Sequence, residues 1–117
     1  GFMAKQTINI GSSANDGTGD QLRTAFDKVN DNFNEMYAFI KEDGNSDIVI
    51  DSEDASNNVK VNKDNLIIAT SKTPASVVGA SGDKAGMIAW DADYIYVCVA
   101  DYDGSTGIWR RSQALTW

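Results

Sequence analysis

Between Thr18 and Lys41 the apolar residues Leu22, Phe26, Val29, Phe33, Met36 and Ile40 fall at spacings of four, three, four, three and four. This is the spacing of a coiled-coil seam. A helix packed on a globular core carries a broader apolar face at a period near 3.6. Ala25, Tyr37 and Phe39 add some breadth, while Asp27, Lys28, Asn30, Asp31, Asn32, Asn34 and Glu35 keep the remaining surface polar. The pattern predicts one long amphipathic helix from about Asp20 to about Lys41. Thr18-Gly-Asp-Gln21 matches a capping box at its start, with Asp20 placed to favour the helix dipole, and Asp43-Gly44-Asn45 ends it.

Two fates are open to this stripe: it packs on a sheet of the same chain, or it meets copies of itself. The heptad spacing favours self-association through Leu22, Phe26, Val29, Phe33, Met36 and Ile40, and the bulk of Phe26 and Phe33 favours three strands over two.

Elsewhere the period is two. Gln6-Thr-Ile-Asn-Ile10 alternates and predicts a short N-terminal strand, followed by a Ser-, Asn-, Asp- and Gly-rich loop from Gly11 to Gly19. Beyond Gly44 the character turns to β. Ile48-Val-Ile50, Val59-Lys-Val61 and Leu66-Ile-Ile-Ala69 are strand candidates between polar turns. Gly86–Trp90, Tyr94–Val99 and Ile108–Arg111 predict a three-stranded meander with tight turns at Asp91-Ala-Asp93 and Asp101–Gly107. Both faces of Tyr94–Val99 are apolar, which predicts a central strand covered on two sides. The fold class is therefore α+β: an N-terminal strand and loop, one long amphipathic helix with a coiled-coil-like seam, then a small mainly antiparallel β domain. The expected division is residues 1–43, carrying the strand, loop and oligomerisation helix, and residues 44–117, the β-rich body.

Composition narrows what such a chain can do. Its 117 residues allow a limited core, so assembly is a natural source of further stability. Ten Lys plus Arg face seventeen Asp plus Glu, a net charge of −7, and Arg110-Arg111 is the sole adjacent basic pair. Nucleic acid is excluded as a partner, since a binder needs a positive stripe to displace counterions from phosphates. No stretch is long enough to insert in a membrane.

The chain has no His and one Cys, Cys98, which removes the commonest general base and the usual zinc ligands. No glycine-rich phosphate loop occurs, and Ser12, Ser13 and Ser81 lack a partner base. Fourteen Asp make close pairs such as Asp91/Asp93 and Asp101/Asp103 by chance, and turn formation accounts for them. Asp101-Tyr-Asp-Gly104 opens like a calcium loop but lacks the third acidic position and the distant bidentate Glu. The chain is expected to be no enzyme, with no catalytic residue, metal or cofactor.

Aromatic residues gather in the last third: Trp90, Tyr94, Tyr96, Tyr102, Trp109 and Trp117. Residues of this kind in strands form cores, and Trp90, Tyr96 and Trp109 suit the inside of the meander. The alternative is a surface that stacks on a host glycan, for which Tyr102, Trp109 and Trp117 are the candidates.

The segment from Thr7 to Tyr37 resembles a head motif of structural proteins from large tailed phages, in tail fibres and baseplates, notably of aquatic phages. Asn15-Asp-Gly-Thr-Gly-Asp20 leading into Leu22-Arg-Thr-Ala-Phe26 and Asn30-Asp-Asn-Phe33 carries the resemblance. A second segment, Gly82–Asp91 with Tyr94–Cys98 and Ile108–Arg111, also looks like a module of phage structural proteins. The resemblance implies a virion component of the phage tail, made in the host cytoplasm, that assembles as a homo-oligomer, with a trimer favoured, and contacts other virion tail proteins. It carries over no catalytic residue.

Overall fold

A computed structural model of the chain describes residues 5–51 and 57–117. The elements run α1 (Leu22–Phe39), β1 (Ile40–Glu42), β2 (Ile48–Ile50), β3 (Ile88–Trp90), β4 (Tyr94–Cys98) and β5 (Trp109–Gln113). The class is α+β, with one helix and two antiparallel sheets, β1–β2 and β3–β4–β5. Two compact units divide the chain, Gly1–Val61 and Asn62–Trp117.

In the first unit, α1 is shorter than the periodicity predicts, at 18 residues. Ile40 has extended backbone (φ −135°, ψ 115°) and donates its N–H to the Met36 carbonyl, so the last seam position begins β1 instead of closing the helix. The chain then turns through Asp43–Asp47. The Asp43 carboxylate accepts the Asn45 N–H at 2.7 Å, and Gly44 takes the left-handed φ of +88° that the turn requires. Ile40 pairs with Ile50 and Glu42 with Ile48. The expected break near Gly44 therefore falls inside a hairpin whose second strand belongs to the helical unit.

No strand forms at Gln6–Ile10. Alternation marks a segment able to pair, but a ladder needs a neighbouring strand, and side chains of the helix serve this backbone instead. The capping box is also absent: Gln21 is the N-cap and makes no side-chain cap hydrogen bond. Thr18 turns back to Asp16, and Asp20 binds Asn9 and Lys28. Val59–Val61 and Leu66–Ala69, expected as strands, likewise have no paired partner among the described residues.

The second unit holds the meander that the turn signals predict. β4 is central, with Ala89 opposite Tyr96 and Cys98 opposite Trp109. Alternation sends Tyr94, Tyr96 and Cys98 to one face with Trp109 and Arg111. The buried core is Ala89, Tyr96, Cys98, Ile108 and Trp109, with Cys98 a free buried thiol. The other face of β4 is open, since Ile95 and Val97 are exposed. The expectation of cover on both faces fails there because no described segment of the second unit covers that side.

Asp83 is buried beside this core and accepts hydrogen bonds from Trp109 Nε1 at 2.9 Å and the Ala80 N–H at 2.8 Å. The close approach explains Gly79: a Cβ there would stand 2.5 Å from Asp83 Oδ2 and 2.8 Å from Trp109 Nε1, on a φ of +79°.

Candidate functional site

Part of the polar side of α1, at Lys28, Asp31 and Asn32, binds the segment before the helix. Asn32 clamps Gln6 from both ends, accepting its N–H at 2.9 Å and donating to its carbonyl at 2.8 Å. Gln6 Nε2 donates to Asp31 at 2.8 Å, and Lys28 Nζ donates to the Thr7 carbonyl at 3.1 Å and to Asp20 at 2.6 Å. Asp20 completes the clasp, its carboxylate accepting the Asn9 N–H at 2.8 Å while its own N–H donates to the Asn9 carbonyl at 2.6 Å. The Lys28 ammonium, and then the Asn9 N–H, hold the Asp20 carboxyl below the usual carboxylate range.

The loop before the helix closes on Asp16. Its carboxylate accepts the N–H groups of Ser12, Ser13 and Thr18 and the Thr18 hydroxyl, all within 2.9 Å. The Thr18 N–H, then its hydroxyl, push the Asp16 pKa far below the ordinary value. Gly11, at φ +80°, leaves room for that carboxylate, which a Cβ would meet at 2.8 Å.

These contacts spend the polar side of the helix and leave the apolar side bare. Leu22 is 73% exposed, Phe33 and Met36 each 64%, Ile40 60% and Phe26 59%, while Val29 is half-buried. No residue of α1 is buried. Among the described residues of its own unit, no sheet covers this stripe. Tyr37, Ile48 and Ile50 extend the exposed apolar surface of this unit.

In the second unit a groove of about 350 Å³ is lined by Thr73, Pro74, Ser76, Tyr96, Trp109 and Arg111, among others. The Arg111 guanidinium lies 4.1 Å from the centre of the Tyr94 ring, a cation–π contact. Of the three residues proposed to stack on a glycan, only Trp109 reaches this groove, and it is 6% exposed and committed to Asp83. Its burial corrects the expectation of an exposed platform: an indole N–H seeks a buried acceptor, and Asp83 supplies one. Tyr102 is partly exposed and Trp117 fully exposed, neither lining the groove.

Asp91 and Asp103, which the sequence assigns to turns, are carboxylate hubs, and Asp83 is a third. Asp91 accepts the hydroxyls of Thr73 and Tyr96, both at 2.6 Å, and the N–H groups of Asp93 and Tyr94. The Thr73 hydroxyl first, and then that of Tyr96, draw the Asp91 pKa well down, while Asp91 raises that of Tyr96. Asp103 gathers the hydroxyl of Thr106 and the N–H groups of Thr106 and Ser105, which lower its pKa to about 2. Asp83 is lowered as well, chiefly by Trp109 Nε1. An Asp two or three residues ahead of an N–H is the local signal for such turns; the long-range hydroxyls have none. No cluster of His, Cys, Asp or Glu among the described residues could hold a metal ion. No helix among them is long and apolar enough to cross a membrane.

Comparison with known proteins adds three findings. Residues 5–69 match the family described as bacteriophage T4 gp9/10-like protein, N-terminal. A 33-residue stretch is 58% identical to the baseplate wedge protein gp10 of Enterobacteria phage T4, covering 28% of this chain but only 6% of that protein. No solved structure matches.

Proposed function

This chain belongs to the bacteriophage T4 gp9/10-like family through residues 5–69, and on that premise we propose a non-enzymatic module of a phage tail fibre or baseplate, built to assemble with copies of itself. The bare apolar side of α1 carries this reading. Leu22, Phe26, Val29, Phe33, Met36 and Ile40 form the association face, and other virion tail proteins are the further partners. Burial of each such side chain contributes roughly 1.5–3 kcal/mol, whereas an 18-residue helix with no buried residue gains little from its own propensity. Three copies fit better than two because Phe26 and Phe33 are bulky for a tight pair. Five of the six positions lie on the helix and the sixth opens β1, so the contact is a short helical seam continued by a hairpin.

Light scattering behind size exclusion tests the proposal. The expected result is a trimer that dissociates when Phe33 is replaced by Asp, with the second unit still folded. A monomer at high concentration would overturn it.

The groove beside Arg111 supports a second reading, a host-glycan site on the β-rich body. Arg111 has no carboxylate within ion-pair distance among the described residues, which leaves its donors open to an acidic sugar. Arg111→Ala is expected to abolish glycan-array binding under this reading. Binding carried by Tyr102 or Trp117 alone would count against it.

A further inference from the structure

Residues 58–67 form no hydrogen bond with any described residue, through backbone or side chain. Within that run Val59, Val61, Leu66 and Ile67 are all more than half exposed. The run lies inside the residues that match the family, so it belongs to the shared domain. Its first part, Val59-Lys-Val61, alternates like a strand and carries two β-branched residues on one side.

A complementary deficit sits in the same unit. β1 and β2 make a sheet of two strands with three residues each, and such a hairpin is marginal in water without a third strand. The outer edge of Ile48–Ile50 carries no hydrogen bond to another strand among the described residues. Its side chains also alternate, with Ile48 and Ile50 exposed on the side they share with Ile40.

We propose that Val59–Val61 of one copy adds as a third strand to the β2 edge of a second copy, so that the copies are interlocked by backbone pairing as well as by the helix face. The inference rests on the self-association proposed above. A second copy is the occupant because it carries both halves of the deficit, and passing the strand from each copy to the next around the assembly leaves no copy with an open half. Pairing that places Lys60 opposite Val49 sets Val59 and Val61 beside Ile48 and Ile50, joining four exposed β-branched side chains into one apolar surface. Lys60 projects to the opposite side, next to Val49 and the Lys41–Asp51 ion pair.

Hydrogen exchange on the full chain, read together with its mass in solution, tests this. In the assembled protein the amides of residues 59–61 are expected to exchange at least ~10-fold more slowly than in the Phe33→Asp monomer. Val61→Pro, which removes a donor that makes no hydrogen bond with any described residue, is expected to raise the concentration for half-assembly at least ~10-fold. Its tryptophan fluorescence, which comes from Trp90, Trp109 and Trp117 of the second unit, should match the parent, showing that unit intact. An oligomer whose residues 59–61 exchange freely, and which tolerates Val61→Pro, overturns the strand exchange while leaving the helix face standing. A chain that stays monomeric overturns both, and protection that persists in the monomer overturns the exchange between copies.

Discussion

Asp16 and Asp91 each organise a loop with one carboxylate that accepts four hydrogen bonds. Folding lowers the pKa of both, together with Asp20, Asp83 and Asp103. A carboxylate whose folded pKa lies below its unfolded value contributes stability that is complete above the unfolded value, near 3.8 here, and disappears as pH falls through the folded one. The melting temperature is therefore expected to be level above about pH 5 and to fall steeply from pH 4 toward pH 2, as calorimetry across that range would show. Asp91→Asn should flatten part of the fall and lower the plateau, because an amide accepts fewer of the four donors. Trp109 acts differently, through packing. Trp109→Ala is expected to cost about 3–5 kcal/mol, enough to unfold the second unit. Trp109→Phe keeps most of the volume and removes one donor from Asp83, so a milder loss in thermal melts is expected.

For the elements, the helix has an apolar and a polar side, and periodicity exposes the first. The apolar side is legible because 3.6-residue geometry turns spacing into a face. The polar side looks solvated in sequence, yet Lys28 and Asn32 bind the backbone of residues 6 and 7, and Asp31 accepts the side-chain amide of Gln6. Nothing in the order of residues 5–11 states that a helix lies beside them. Asn32→Leu removes both clamps on Gln6 and is expected to cost about 1–2 kcal/mol. NMR should then show residues 5–9 released while α1 keeps its helicity. The same logic explains the hairpin at Ile40–Ile50: its turn residues are evident, but whether the strand after the turn joins the helical unit depends on which strand it pairs with.

At the scale of the molecule, burial is uneven. All the buried described residues, Asp83, Ala89, Tyr96, Cys98, Ile108 and Trp109, belong to the second unit. A unit none of whose described side chains is buried has little hydrophobic contribution to set against chain entropy. The fragment 62–117 is therefore expected to fold as a monomer with cooperative melting. The fragment 1–61 should gain helical circular dichroism only as its concentration rises. Helicity independent of concentration in fragment 1–61 would contradict the assembly proposed for the helix face.

Sequence alone determined what is local in this protein. The apolar stripe from Leu22 to Met36 follows from a fixed turn angle per residue, and the meander from tight turns that bring adjacent strands together. The absence of His and the single Cys removed the usual zinc sites before any fold was known. Tertiary structure decided everything that depends on a partner distant in the chain. It joined Gln6 to Asn32, turned Trp109 inward onto Asp83, gathered Thr73 and Tyr96 on Asp91, and left Val59–Val61 without a strand. Alternation and turn chemistry describe what a segment can offer. The partner that accepts the offer is chosen by the packing of the whole chain, where an unmet hydrogen bond or an uncovered apolar surface costs free energy.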